Sequence, residues 1–584
     1  MNARRRPDPW LLLALAVAAV LRFTGLAWGS HHRPLGDEQS FVEAVAAMLA
    51  SGDLDHRFHE YPGLFLYLLL PGQWFAGGDS GFAATVAGRI TVAAFGVIAV
   101  GLVHALGRAL GGPAVGRAAA LLKAVSPLDV EQAHMIRTDV VLEVAFLLGL
   151  LALVVPLHRP RQAATAGAAL GVASAIKFSG PLLAAPLALG LLLRRRPRAA
   201  DLARFAVVAA LVFVACSPYT LLHLEEALSG AGTQMRYHYE GRTEAPGYVE
   251  NLGAYGVRLG ETLGVPWLLL CVAGAWAARR RPRRFAPLVA LPIVVLAVFA
   301  TAEVRYDRFL VPLTGALAVL AAIGIERLGR GRAPLTVAAG LIALAWPASQ
   351  SALDVRSYLQ PSPRDQAKDA LAAWSGGRAL TTARELGSPP GVSLTRVRGF
   401  DPWTRRLARE HDVSVVIASQ LGEAPPSLRE VRRFRPTRNT AGQGPELVLL
   451  APVVPPALAY EWTDVRPGNE APGGPRWDVA EPAAGGLEVR LPAPATVAAL
   501  DWEVAPGERP PRLRLFASRD GSRYAPVEIA SERLAPPAPA GGVLLRLLPL
   551  EPVTAVALRL QTADRAPLAP PARLRTARPL ATSR

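Results

Sequence analysis

The sequence predicts a polytopic α-helical membrane protein of about eleven transmembrane helices, followed by an extracytoplasmic α/β segment and a β-sandwich. Three observations lead there. Hydrophobic side chains fill 51% of the 584 positions and the mean hydropathy is +0.27, too apolar for an ordinary cytosolic enzyme. Apolar runs long enough to approach the roughly 30 Å of a hydrocarbon core recur up to residue 349 and then stop. Arginine collects in short clusters between those runs, the pattern of membrane topology rather than of a nucleic-acid stripe, so the net charge of +17 does not call for nucleic acid.

The predicted spans lie near 10–28, 82–106, 116–134, 138–157, 163–177, 178–193, 201–217, 263–278, 285–301, 309–325 and 334–349, with 163–193 also readable as one broken helix. The first follows Arg4-Arg5-Arg6 like a signal peptide, but its length and the lack of an A-x-A site favour a retained span. With the N-terminus cytoplasmic, Arg108–Arg117, Arg159–Arg161, Arg194–Arg204, Arg279–Arg284 and Arg327–Arg332 all fall inside. Gly63–Gly77 would invert that order if it crossed. It is short, carries Pro71 and lacks flanking charge, so it reads as an interfacial or re-entrant helix. The expected location is the inner membrane of a bacterium, with residues 1–349 in the bilayer and the C-terminal region outside the cytoplasm.

Beyond residue 350 the spans end. Residues 350–455 mix helix-like DQAKDALAAW and PWTRRLAREH with strand-like RALTTA, VSVVIAS and ELVLLAP, as in a small α/β domain. Residues 456–475 read as a Pro/Gly-rich linker. In 476–584, LEVRLP, VAALDWEV, RLRLFAS, VLLRLLPL and AVALRLQT read as short strands of a sandwich. The two cysteines, Cys216 and Cys271, lie in apolar runs and form neither a disulfide framework nor a metal spacing.

Under this topology the long loops outside the cytoplasm, 29–81 and 218–262, carry the chemistry. The first holds Asp37-Glu38 ahead of a helical stretch, then Asp53, His56, His59, Glu60 and Tyr61. Asp is a good N-cap and Glu38 suits a first helical turn. A carboxylate so held is also rigid enough to take a proton from an attacking hydroxyl or amine, which makes Asp37 the candidate catalytic residue. His31, His32, His56 and His59 share the loop with several carboxylates, so a divalent metal is conceivable, yet their spacing matches no ligand pattern. No cofactor is required by the sequence. Cations reappear outside at Arg137, Lys177 and Arg305, where arginine is otherwise scarce. Lysine occurs only at 123, 177 and 368. Each of these cations could equally snorkel to the interface. His59, His134, Asp139, Tyr219, Tyr237 and Asp307 are the remaining polar and aromatic groups that these loops offer a substrate, the aromatics serving an interfacial belt about as well.

The stretch GDEQSFVEAVAAMLASGDLDHRFHEYPGLFLYLL resembles the catalytic loop of bacterial members of glycosyltransferase family 39, the GT-C enzymes that include protein O-mannosyltransferases and aminoarabinose transferases. SPLDVEQAHMIRTDVVLEVAFLL, GVASAIKFSGPLLAAPLALGLLL and RYDRFLVPLTGALAVLAAIGIERL are similar to further parts of it, so the resemblance covers about 30–330. It implies a GT-C-like fold, a polyprenyl-phosphate sugar as donor, Asp37 as catalytic carboxylate with Glu38 beside it, and carrier contacts near Tyr61, Lys177 and Arg305. Where aminoarabinose transferases have Lys before the Pro of this entry, the chain has Tyr61. A leaving phosphate gathers negative charge, which Arg137, Lys177 or Arg305 would meet. Inversion would follow from one displacement, moving a hexosyl or pentosyl unit to a protein, lipid or glycan acceptor. A flippase for lipid-linked sugar is the alternative, but no internal repeat is visible and the candidate charges gather at one face. In the tail, LRLFASRDGSRYAPV resembles galactose-binding or discoidin-like sandwiches.

Overall fold

The computed structural model describes residues 8–30, 32, 36–194, 197–239, 247–330, 332–373, 378–383, 386, 392–396, 413–419, 428–440, 443–452, 460–467, 474–479, 486–504, 513–527, 529–534, 543–549, 553–562, 571 and 573–579. The helix-like stretch at 402–411 and His31 lie outside the described residues. The chain divides into two compact units, residues 1–360 with 440–442, and residues 361–439 with 443–584.

The first unit is helical: α1 (Pro9–Phe23), α2 (Asp37–Ser51), α3 (Leu64–Phe75), α4 (Phe82–Gly111), α5 (Pro113–Ala124), α6 (Pro127–Ala133), α7 (Thr138–Val154), α8 (Arg159–Ile176), α9 (Ala184–Leu192), α10 (Ala199–Cys216), α11 (Tyr219–Leu222), α12 (Leu224–Tyr239), α13 (Tyr248–Leu263), α14 (Val265–Ala278), α15 (Pro282–Phe299), α16 (Val311–Leu328) and α17 (Ala333–Tyr358). Its core joins α2, α3, α4, α7 and α16 through Phe41, Phe65, Val103, Phe146 and Leu313. Helix α16 is buried along nearly its whole length. It meets α14 where a Cβ on Gly274 would stand 1.9 Å from the Leu320 carbonyl oxygen and one on Gly324 2.2 Å from that of Leu270, so the two backbones touch.

Among the described residues, five helices are long and apolar enough to cross a membrane, beginning at Phe82, Ala199, Pro282, Asp307 and Ala333. The pair α13–α14, bent by 111°, makes a sixth if it is one span. The eleven expected runs thus include shorter pieces, because prolines and glycines break them. The 116–134 run divides at Ser126-Pro127 into α5 and α6. The 163–193 run breaks at Lys177, which is extended, before a 3-10 turn at Gly180–Leu183. Gly180 presses on the preceding helix, where a Cβ would lie 2.2 Å from the Ala173 oxygen. Helix α3 has 12 residues, about 18 Å at ~1.5 Å per residue and short of a bilayer core; its Trp74 and Phe75 are exposed. Residues 218–262, expected as a loop, hold α11, α12 and most of α13.

In the second unit, α18 (Pro363–Ala373) packs Ala367 and Leu371 against a five-stranded sheet of β1 (Arg378–Thr381), β2 (Ser393–Arg396), β3 (Val413–Ser419), β4 (Leu428–Phe434) and β5 (Leu447–Pro452), in the order β2-β1-β3-β5-β4. Strand β1 runs parallel to β2 and β3, whereas β5 runs antiparallel to β3 and β4. The remaining strands are β6 (Tyr460–Pro467), β7 (Arg476–Val479), β8 (Gly486–Val497), β9 (Ala499–Val504), β10 (Leu513–Ser518), β11 (Ala525–Val527), β12 (Ile529–Leu534), β13 (Val543–Pro549), β14 (Val553–Thr562) and β15 (Arg573–Pro579). They form one largely antiparallel sheet that folds on itself: Val489, Leu515 and Leu558 from one half share a core with Trp502, Leu547 and Leu574 from the other. Residues 460–467, read above as linker, are β6. It pairs along β15 on one side and over two residues with β7 on the other, and buries Val465 in that core. The partner strand β15, more than 100 residues away, recruits a segment whose own composition reads as loop.

Candidate active site

Gly36, at φ +41°, turns the chain into α2 in the left-handed region that favours glycine. Asp37 and Glu38 therefore occupy the first helical turn, where carboxylates oppose the positive end of the dipole, and they point into different surroundings. Asp37 Oδ2 accepts from Arg137 Nη1 at 2.6 Å and from Arg308 Nη1 at 3.0 Å. Its side chain is 37% exposed, and among the described residues Oδ1 has no hydrogen-bond partner. Glu38 is fully buried. It takes both prongs of the Arg89 guanidinium at 2.9 Å and the Ile136 N–H at 2.9 Å. Arg89 also donates to the carbonyls of Leu26 and Trp28 and lies over the Trp28 ring. The Asp-Glu pair thus separates into an accessible carboxylate and a structural fork that ties α2 to α4.

Beside Asp37, Lys177 donates to Asp139 Oδ1 at 2.7 Å and faces the Phe309 ring. The α8 break delivers Lys177, the first turn of α7 delivers Asp139, Arg137 directly precedes α7, and the 3-10 turn Asp307–Leu310 carries Arg308. Three cations stand against two carboxylates here, leaving one positive charge to attract an anion. A cavity of about 490 Å³ opens next to them, lined by Tyr61, Lys177 and His238 among apolar side chains such as Leu182, Met235 and Phe299. Tyr61 is buried against Phe41 and stacks on Phe58. Burial, and then the nearby Asp37 carboxylate, push its phenol above the ordinary range. Burial, and then Arg308, hold the His238 imidazole down at about 4.

Asp37, Arg137, Asp139, Lys177 and Tyr61 thus converge. The other predicted residues do not join them. Arg305 pairs at 3.6 Å with exposed Glu250 and leaves Asp37 to Arg308, three residues on. Asp307 binds Arg258 at 2.8 Å. His134 is fully buried, its ring nitrogens 2.7 Å and 2.8 Å from the carbonyls of Val130 and Thr24, and it stacks on Tyr358, so it packs helices. Tyr237 receives the Tyr306 hydroxyl at 2.9 Å, and Tyr306 lies under Arg308, so Tyr237 reaches the site through that stack and through its ring contact with His238. His59 neighbours His56 and His223, and Tyr219 stacks on His223 with a long 3.5 Å contact to Asp53. Among the described residues no group of three or more His, Cys, Asp or Glu side chains is placed to hold a metal ion. Sequence reasoning missed Arg308 and Arg89. Arg308 sits in the same RYDR run as Arg305, but nothing local fixes which of the two turns inward.

Residues 80–221 match the family model described as dolichyl-phosphate-mannose-protein mannosyltransferase. Among solved structures, ArnT from Cupriavidus metallidurans in the apo state aligns at TM-score 0.50 and 16% identity, over 76% of this chain and 98% of that one. The same protein bound to undecaprenyl phosphate aligns at TM-score 0.49 and 18% identity, again over 76% and 98%. The Archaeoglobus fulgidus oligosaccharyltransferase in complex with Zn and sulfate aligns at 0.45 and 13%, over 70% and 68%. No curated protein matches the chain. With its apolar helices, its β-rich C-terminal region and the stretch 80–221 that is similar to the mannosyltransferase family model, the chain has the fold of the GT-C membrane glycosyltransferases.

Proposed function

We propose that the protein moves a sugar from a polyprenyl-phosphate carrier to an acceptor on the extracytoplasmic side of a bacterial inner membrane. The observation that carries this reading is the accessible Asp37 carboxylate, held by Arg137 and Arg308 beside a largely apolar cavity. The acceptor hydroxyl or amine attacks the anomeric carbon from the face opposite the phosphate and passes its proton to Asp37 Oδ1. The bond from that carbon to the phosphate oxygen breaks in the same displacement, which inverts the centre. The leaving phosphate gains negative charge, which Arg308, Arg137 and Lys177 stabilise. Isoprene units suit the apolar wall of Leu182, Met235 and Phe299, with Lys177 at its polar edge. Tyr61, where related transferases carry a cation, contributes an uncharged hydroxyl. Arginine clusters at the ends of α4, α9, α14 and α16 favour those ends as cytoplasmic.

The test is release of polyprenyl phosphate from a panel of polyprenyl-phosphate sugars by protein in lipid, wild type against Asp37→Asn. Loss of a general base costs about 10²–10⁴-fold. Turnover by the wild type that drops by that factor in the folded variant supports the reading. A wild type that binds these donors and never cleaves them favours a flippase, and equal turnover in the variant moves the base elsewhere.

A further inference from the structure

One helical turn along α7 from Asp139, on the same face, Glu143 belongs to a second set of ionised groups that the proposed displacement does not use. Lys123, in the last turn of α5, sends its ammonium to Asp129 Oδ1 at 2.5 Å, to both Glu143 oxygens at 2.5 Å and to Thr314 Oγ1 at 2.7 Å. All four side chains are buried. The Gly315 N–H completes Glu143 at 2.8 Å. Arg22 of α1 closes the end of α5 by donating to the carbonyls of Ala124 at 2.8 Å and Lys123 at 3.1 Å, within Coulombic reach of Asp129 and Glu143. Two cations and two carboxylates therefore join α1, α5, α6, α7 and α16 inside the helical unit.

Withdrawing such charges from water costs several kcal/mol per ion, and apolar side chains of similar volume would hold the helices together at least as well. What an ammonium with four oxygen neighbours adds is a fixed register, because sliding any one helix breaks a directional bond. The helices it fixes carry the site above. Arg137 and Asp139 sit at the start of α7, and Arg308 lies on the 3-10 turn that runs straight into α16, two turns before Thr314.

We propose that Lys123 is a positioning residue for the Asp37 site: it locks α7 against α16 so that Arg137 and Arg308 meet on one oxygen of Asp37. The inference rests on the transferase reading for its kinetic consequence and on geometry alone for its structural one. The test compares wild type, Lys123→Met and Lys123→Met/Glu143→Gln in lipid, by heat-denaturation midpoint, by donor KM and kcat, and by hydrogen exchange of the backbone at 135–139 and 303–310. The single variant leaves two buried carboxylates facing only Arg22 and is expected to melt early. The double variant restores the charge balance without the ammonium. Its expected behaviour is a midpoint close to wild type, a donor KM within about threefold, a kcat lower by about 100-fold, the scale of a 1 Å misplacement, and faster exchange at both loops. A double variant that recovers kcat together with stability overturns the proposal, because the network then only balances charge. If the wild type turns over no donor, the transferase reading fails by itself. Exchange still decides the positioning role, and unchanged protection at 135–139 and 303–310 in the double variant overturns it.

Discussion

Replacing Arg308 with Gln removes a guanidinium and keeps a polar side chain of moderate reach. Arg308 Nη1 lies 3.0 Å from Asp37 Oδ2, and the Arg308 side chain is 13% exposed against 37% for Asp37. A hydrogen bond between charged groups contributes about 1.5–3 kcal/mol. Partial exposure of the carboxylate screens the pair and favours the lower half of that range. At about 1.4 kcal/mol per factor of ten, kcat/KM should fall roughly 10- to 40-fold. Arg305→Gln is the contrasting perturbation. Its pair with Glu250 is exposed on both sides, worth about 0–1 kcal/mol, and lies away from Asp37, so turnover should stay within about twofold. Both variants would be assayed for polyprenyl-phosphate release in lipid, with heat-denaturation midpoints measured in parallel. An Arg305 variant as impaired as the Arg308 variant, or an Arg308 variant within twofold of wild type, would refute the assignment of Arg308 to the site.

Glu38→Gln should unfold the protein early rather than slow it selectively, since it leaves the buried Arg89 guanidinium without its counter-charge at a cost of about 3–5 kcal/mol; a normal midpoint with lost turnover would instead make Glu38 a reacting group. Gly274→Val should loosen α14 from α16, because the new Cβ falls inside the Leu320 carbonyl and overpacking costs about 1–3 kcal/mol or more; size-exclusion recovery after mild heating reads this, and unchanged recovery argues against the close crossing. Stability should decline as pH drops from about 6.5 to about 4. Burial, aided by His59 for His56 and by Arg308 for His238, holds both imidazoles uncharged until about pH 4, whereas the unfolded chain protonates them near 6.5. The unfolded state therefore binds more protons in that window. Midpoints measured across it should fall, and His56→Asn should shallow the fall; an equally steep decline in that variant would assign the loss to other groups.

The membrane class and the loop that bears Asp37 and Glu38 could be read from the sequence because each rests on local information, and the GT-C expectation came from the resemblance of that loop to a known family. Hydropathy along a run, arginine between runs and a carboxylate pair ahead of an amphipathic turn need no distant partner. Alternation likewise exposed β8, β10 and β14, whose inward and outward residues differ. Strand β6 escaped because its pairing with β15, not its own pattern, makes it a strand. The site's wiring escaped for the same reason. Glu38 meets Arg89 across 51 residues, Asp37 meets Arg137 across 100 and Arg308 across 271, and Lys123 reaches Thr314 across 191. The sequence by itself determined that cations and carboxylates gather at the ends of apolar helices. Only the tertiary structure decided that Arg308 rather than Arg305 faces Asp37, that Glu38 is a buried clamp, and that Lys123 ties five helices together, because helix packing selects charge partners and no periodicity along the chain encodes them.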